Sequence, residues 1–488
     1  MKILYPLFYF FVFSFFTSCI NMPEVSNEET TPTDTDTPTD TDTPPNIDYN
    51  AEQYMYPFGQ EVTNATAEIT IKLKSTVPDN IVTEVPALKY NKSLLFMLTQ
   101  DDCMQVAYSC TWAAINGKPL TKEYFYDAPQ LQYGDLPPDV YYLGKTLGST
   151  DGAGNEVRFS FTTTLMPEDD RMNAKTTVSP DFTDNYYRFY MKSYLIWNNV
   201  REMLNYGVGI AFHDVDVDSL HRKDPVSIKD HYIIAQDSIL NKLSNRGCKM
   251  LAEPNGNDKY TTAAQDYDPI QTLVVQRNGP LYPFQEESDL KDVVLNRIFD
   301  TPAAFEDRVL NEVAKTKDER KAIYVAVHRT TADWAAFLLW LNDNYGQDGD
   351  DLLWFPSQEE YYEYTYYRKH GEQTITQVDD NTIKLTVTLP SGQYFYYPSI
   401  TVNLNGLNQD DIASVTSSDA VTGLSYGAYD EGTMINIDCR KSLVEHAQHY
   451  VEKYEKDITD TSNKDDALYF TNMLKESTQK TELLNRIK

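Results

Sequence analysis

From residue 94 to residue 355, short apolar runs recur with helical patterns between them. The first run, Leu94-Leu95-Phe96-Met97-Leu98, is followed by others at 208–212, 249–252, 273–275, 323–327 and 352–355. Between two of them Tyr232, Ala235, Ile239 and Leu243 share one helical face, and Gly247 stands where a C-cap belongs. Continuous apolar strands separated by amphipathic helices predict an α/β fold, a parallel sheet covered by helices and able to close as a barrel. Residues 103–185 break the rhythm with many Tyr, Asp, Pro and Gly, which predicts an insertion over the carboxyl ends of the strands. Ahead of the first run, residues 65–90 alternate in β fashion (Ala67-Glu68-Ile69-Thr70-Ile71-Lys72-Leu73). Past residue 373 the period changes. Ile383-Lys384-Leu385-Thr386-Val387-Thr388-Leu389 alternates strictly and no helix intervenes, which predicts a small antiparallel, β-sandwich-like domain over 374–440. A helical segment over 441–488 follows, with Leu443, Ala447, Tyr450, Val451 and Tyr454 on one stripe.

The N-terminus is of another kind. Lys2 precedes an apolar and aromatic run from Ile3 to Phe16 that ends in Thr17-Ser18-Cys19. A charged start, an apolar core and small residues before a cleavage point form a secretory signal over 1–18. A cysteine directly after it resembles the lipidated residue of bacterial lipoproteins, and the run is short for a bilayer span. Residues 19–49 hold the repeated unit Thr-Pro-Thr-Asp-Thr-Asp, an acidic tether unable to form a core. The expectation is a protein held by a lipid on Cys19 at the outer membrane of a Gram-negative-type envelope, with a folded barrel over 50–373. The formal net charge of −31 has no basic face to set against it, which argues against nucleic acid and suits a neutral or cationic partner such as a carbohydrate. Cys103, Cys110, Cys248 and Cys439 show no CxxC spacing and assign no disulfide.

Three strand ends carry candidate chemistry. Asp101-Asp102 follows the first run, His213 the second, and His328 follows Val325-Ala326-Val327. Parallel α/β sheets and barrels build their sites at the carboxyl ends of strands. Paired carboxylates beside a histidine can supply one metal ligand and one general base, and a second histidine can act as general acid. That combination is a candidate for metal-assisted hydrolysis. Singly, each residue has a plainer reading as a cap or a packed side chain.

The phrase Pro86-Ala87-Leu88-Lys89-Tyr90-Asn91-Lys92, then an apolar strand and Thr99-Gln100-Asp101-Asp102, resembles the entry of the polysaccharide deacetylases (carbohydrate esterase family four) into their Thr-Phe-Asp-Asp-Gly motif. The resemblance runs from about Leu88 to Gly371 in element order. It implies a distorted (β/α)7 barrel, Asp101 as catalytic base, Asp102 as ligand of a divalent metal, usually zinc, and His328 as general acid. In the family's His-(Ser/Thr)-x-x-His motif His213 supplies the first metal ligand. Val217 stands where the second belongs, so Asp214, Asp216, Asp218 or His221 would complete the site, with His221 preferred. The motif Arg-x-Pro-(Tyr/Phe)-Gly is matched by Ala252-Glu253-Pro254-Asn255-Gly256, with alanine in place of the arginine that usually orients the base. Glu253, Pro254, Asn255 and Trp334 are the candidate substrate contacts. Cys103 replaces the glycine after Asp-Asp, and Ala326 replaces a leucine of the acetyl pocket. Two functions stay open: a metal-dependent deacetylase of N- or O-acetylated envelope polysaccharide, or a degenerate barrel that binds glycan or serves as a structural surface lipoprotein.

Overall fold

Seven parallel strands follow one another around a ring, and their order in space is their order in the chain. A computed structural model of the protein describes residues 53–61, 64–176, 178, 187–190, 193–216, 223–276 and 294–487. The signal, Cys19, the tether and His221 lie outside the described residues. The ring strands are β1 (Leu94–Gln100), β2 (Thr162–Thr164), β3 (Gly209–Ala211), β4 (Met250–Ala252), β5 (Thr272–Gln276), β6 (Val294–Phe299) and β7 (Ile323–Val327). Each pairs in parallel with the next, and β7 returns to β1 with Val325 opposite Leu98. Between β3 and β4 closure rests on a bridge: Phe212 N–H donates to Met250 O at 2.8 Å, and Ala252 N–H donates to Phe212 O at 3.0 Å. A short eighth strand, β8 (Leu353–Trp354), enters beside the start of β1, and Phe355 O accepts from Ser160 N–H just ahead of β2. The barrel is therefore wedged open between β1 and β2 at its lower end.

Period-2 alternation divides the strand residues between two cores. Leu94, Phe96 and Leu98 of β1 pack outward with Ile210, Phe212, Leu251, Leu273, Ile323 and Val325. Leu95, Met97, Ala211, Met250, Ala252, Val274, Leu295 and Tyr324 form the lumen. Its lower end is plugged by the helix Gln358–His370, capped by Ser357 Oγ on Glu360 N–H. Gln358 Nε2 donates to Thr272 Oγ1 at 2.6 Å, and Glu359 ties Ile210 N–H, Arg246 and Lys249 together in full burial. The outer helices begin on sequence-coded caps. Asp224 accepts from Val226 N–H ahead of Pro225–Lys242, and Thr301 accepts from Ala304 N–H ahead of Pro302–Val313, each with proline at the first helical position. Tyr232, Ala235, Ile239 and Leu243 are all fully buried. The first of these helices nevertheless ends at Lys242, and Ser244 and Asn245 take the left-handed conformation expected of Gly247.

Two ring strands escape the apolar pattern. β2 is three threonines within the expected insertion, with hydroxyls occupied by neighbours: Thr162 Oγ1 accepts from Gln358 N–H and Thr164 Oγ1 from Cys103 N–H. β6 is interrupted by Asn296 and Arg297. The antiparallel part comprises two four-stranded sheets and draws on both sides of the barrel sequence. Ala65–Leu73 lies between Thr382–Leu389 and Ile412–Ser417, with Ile69 opposite Leu385, and Val82–Glu84 borders Ser399–Asn405. Residues 65–73 and 82–84, expected inside the barrel segment, thus pair into the β part, the first as its alternation favours. The tail forms three helices, Leu443–Lys456, Thr461–Asn472 and Thr478–Arg486. Asp466 fixes them to the inserted region through Lys118 at 2.5 Å and Arg158 at 2.7 Å. Among the described residues no helix is long and apolar enough to cross a membrane.

Candidate active site

The alternation that fills the lumen also aims its topmost residues. Continuing the inward positions Leu95 and Met97 through Thr99 gives Asp101; continuing Tyr324 through Ala326 gives His328; the residue two beyond Ala211 is His213. Inward on β6, Leu295 is followed by Arg297 and Phe299. Asp101, His213 and Arg297 are all buried, and Asp102 is half-exposed beside them. His213 Nε2 lies 3.9 Å from Asp101 Oδ2 and 3.5 Å from Asp102 Oδ1. On the open side His328 Nε2 is 3.9 Å from Asp102 Oδ2, and its ring stacks on Phe299 with centroids 4.8 Å apart. The four residues singled out from three strand ends therefore meet around Asp102.

Asp101 is held most tightly. Arg297 Nη1 donates to Asp101 Oδ1 at 2.6 Å while Nη2 donates to Glu253 O at 3.0 Å, and Asp101 N–H donates to Val327 O at 2.8 Å. One carboxylate oxygen is thus committed to a guanidinium, and the other faces His213. The His213 Nδ1 contact with Ala252 O at 2.7 Å makes Nδ1 the protonated nitrogen and turns Nε2 toward the two aspartates. Burial of this imidazole works against its charge, yet the Asp101 carboxylate and the Asp102 contact outweigh burial and hold its pKa above the ordinary value. Asp102 is held below the usual carboxylate range, first by His213. Asp102 and Cys103 both have positive φ, 62° and 51°, so the chain doubles back directly after Asp101. A glycine would suit the second of these positions. Burial pushes the Cys103 thiol up to about 12, which leaves it a packed, protonated side chain.

The other candidates fall differently. Asn255 is exposed at the turn following β4, at a φ of 58°, while Pro254 and Glu253 are buried beneath it. The Glu253 carboxylate accepts from Thr261 Oγ1. Trp334, expected at the substrate, is instead part of the core, 5% exposed and packed edge-on against Phe337 and beside Phe305. The Asp214 carboxylate accepts from Tyr260 OH at 2.5 Å. His231, which the sequence did not mark, pairs with Glu168 at 2.6 Å.

Whether a metal suits these residues can be judged from their spacing. Two donors on one tetrahedral zinc, each about 2.1 Å from it, stand roughly 3.4 Å apart. The 3.5 Å between His213 Nε2 and Asp102 Oδ1 matches that separation, and the imidazole tautomer leaves the Nε2 lone pair free to bind. Among the described residues no third His, Cys, Asp or Glu joins them, so two protein donors fit a cation.

A family model described as putative polysaccharide deacetylase matches residues 67–488. The chain belongs to this family. The match takes in the barrel, the antiparallel sheets and the C-terminal helices together. Solved structures similar to parts of the chain are a family 4 carbohydrate esterase from Streptomyces lividans in complex with acetate and the peptidoglycan deacetylase PdaC from Bacillus subtilis. The esterase is 11% identical, covering 51% of this chain and 84% of its own, with a TM-score of 0.25. PdaC is 14% identical, covering 56% of this chain and 92% of its own, with a TM-score of 0.26. No curated protein matches the chain. The fold of this deacetylase-family member stands on its own strand ring, not on those distant likenesses.

Arg297 bears on one of the motif departures, the alanine at 252. The arginine missing at position 252 has a counterpart on β6, two strands away around the ring. Ala252 points into the lumen with no bulk, and the guanidinium crosses above β5 to reach both Asp101 and the carbonyl of Glu253. The signal in the sequence was an arginine within the alternation Leu295, Arg297, Phe299, obscured because the run is short and only half apolar.

Proposed function

We propose that this chain is a metal-dependent hydrolase that removes acetyl groups from the amino or hydroxyl positions of an envelope polysaccharide. The observation that carries the reading is the Arg297–Asp101 pair. It gives the aspartate at the end of β1 a fixed orientation even though the usual arginine position is alanine. In this reading Asp101, with one oxygen bound to Arg297, takes the proton of the attacking water through its other oxygen. His328, exposed and stacked on Phe299, gives a proton to the departing amine or alkoxide. Asp102 and His213 would hold a divalent cation, which when bound polarises the acetyl carbonyl and makes water a better nucleophile. Asn255, exposed at the rim, is the candidate of the third motif able to meet a sugar. Attachment through a lipid on Cys19, and with it a place in the envelope, belongs to the same proposal and is supported by the signal-like N-terminus and acidic tether.

The test is acetate release from acetylated polysaccharides by residues 50–488, with metal content measured in parallel. Asp101→Asn should lower kcat by about 10²–10⁴-fold with the fold intact. Asp102→Ala and His213→Ala should each lose the ion. Full activity in Asp101→Asn would end the assignment. One observation favours the second reading, a glycan-binding barrel without catalysis: only two protein donors meet at the cation position among the described residues. Glycan retention that survives a chelator, with no acetate released, would establish that reading instead.

A further inference from the structure

The outward face of β1 is apolar at Leu94, Phe96 and Leu98, and the next position on that face is Gln100, fully buried. A buried amide in an apolar layer is unfavourable unless its hydrogen bonds are made, so its partners show what it serves. Thr111 Oγ1 donates to Gln100 Oε1 at 2.7 Å, and Gln100 Nε2 donates to Thr330 Oγ1 at 3.3 Å. The two threonine hydroxyl oxygens are 3.0 Å apart, and Thr330 Oγ1 donates onward to Val106 O at 3.2 Å. All three side chains are buried. Thr111 sits in a π-helical turn, Ala107–Trp112, a rare conformation that recurs at functional sites. A second residue of that turn holds the same loop, since Cys110 Sγ donates to Thr331 O at 3.5 Å.

That loop begins at His328. The imidazole itself is 56% exposed; its contacts are the stack on Phe299 and the approach to Asp102 at 3.9 Å. Those contacts restrain the ring plane weakly, whereas Thr330, two residues on, is fixed by three polar partners. We propose that Gln100, Thr111 and Thr330 form a positioning network that sets His328 over Asp102, tying the loop after β7 to the end of the strand that carries Asp101. The inference rests on the deacetylase reading for the consequence in catalysis, and on geometry alone for the placement of the ring. Because the network joins the base-bearing strand end to the acid-bearing loop, a displacement of one side is transmitted to their separation.

The experiment compares Thr330→Val, Thr330→Ser and Thr111→Val in residues 50–488, read by steady-state kinetics and by the imidazole Cε1–H resonance of His328. That resonance is identified by its absence in His328→Gln. Thr330→Val, which removes one hydroxyl at nearly constant volume, should lower kcat by on the order of 10–100-fold with KM within about twofold. It should also shift or broaden the His328 resonance while leaving that of His213 in place. Thr111→Val should do the same, the double variant should be no worse than either single one, and Thr330→Ser should restore both kcat and the resonance. If Thr330→Val does not fold, Thr111→Val carries the same test. An unchanged His328 resonance in the valine variants overturns the network. A chain that releases no acetate at all overturns the deacetylase reading instead, and the resonance still decides the placement of His328.

Discussion

Replacing Arg297 by methionine removes the charge that accompanies Asp101 into the lumen, with side chains 1% and 2% exposed. The expected cost follows from what the carboxylate can then do. Its Oδ1 then loses its guanidinium donor, and the nearest side chain left on its other oxygen is His213 at 3.9 Å. Held ionised, a buried carboxylate without its partner costs about 3–5 kcal/mol. Arg297→Met should therefore destabilise the protein by about 3–5 kcal/mol at pH 7. Asp101→Asn should relieve Arg297→Met, so the double variant should be more stable than the sum of the two single losses allows, by about 2–3 kcal/mol. Arg297→Lys keeps the charge but not both hydrogen bonds and should fall between. Urea unfolding of the unmutated chain and the four variants at pH 7 measures all of this. Single losses that add within about 0.5 kcal/mol would show that the pair does not hold Asp101 as described.

Burial alone would raise the Asp466 carboxyl, but Lys118 and Arg158 outweigh it and bring its pKa down to about 2. A depressed carboxylate contributes stability above its unfolded pKa and loses it as pH falls through the folded one. The advantage of the unmutated chain over Asp466→Asn should therefore shrink by roughly 2 kcal/mol between pH 4 and pH 2 in acid-unfolding curves; a constant difference would refute the assignment. At Cys103 the usual order of small residues should invert. Its φ of 51° favours glycine, so Cys103→Gly should exceed Cys103→Ala in stability by about 1 kcal/mol in denaturant titration, and alanine above glycine would refute the strain argument.

Much of the barrel was legible because its strands are buried on both faces and so read as continuous apolar runs. β1 and β7 announce themselves in this way, and the strand-end rule then directs attention to Asp101, Asp102 and His328. The chemistry of β2 and β6 is what hid them. A strand of threonines whose hydroxyls serve Gln358 and Cys103 has no apolar run to detect, and β6 spends its inward positions on Arg297 and Phe299. Trp334 was misplaced for the opposite reason, since its own spacing carried the answer. Trp334, Phe337, Leu338, Leu341 and Tyr345 recur at helical intervals and are buried together along Ala332–Tyr345, so an aromatic near a strand end belonged to the stripe beneath the helix rather than to the rim above it.

The alanine at 252 shows where reading motifs position by position fails in physical terms. What the structure holds is a guanidinium within hydrogen-bonding reach of one Asp101 oxygen, and a ring of inward residues offers that reach from more than one strand. Arginine on β4 and arginine on β6 would compete for the same space above β5, so the small residue at 252 and the large one at 297 are two halves of one solution. Ala252→Arg should then lower stability in urea unfolding when Arg297 is present and be tolerated together with Arg297→Ala, because Arg297 already occupies Asp101 Oδ1; equal losses in both backgrounds would refute the exchange.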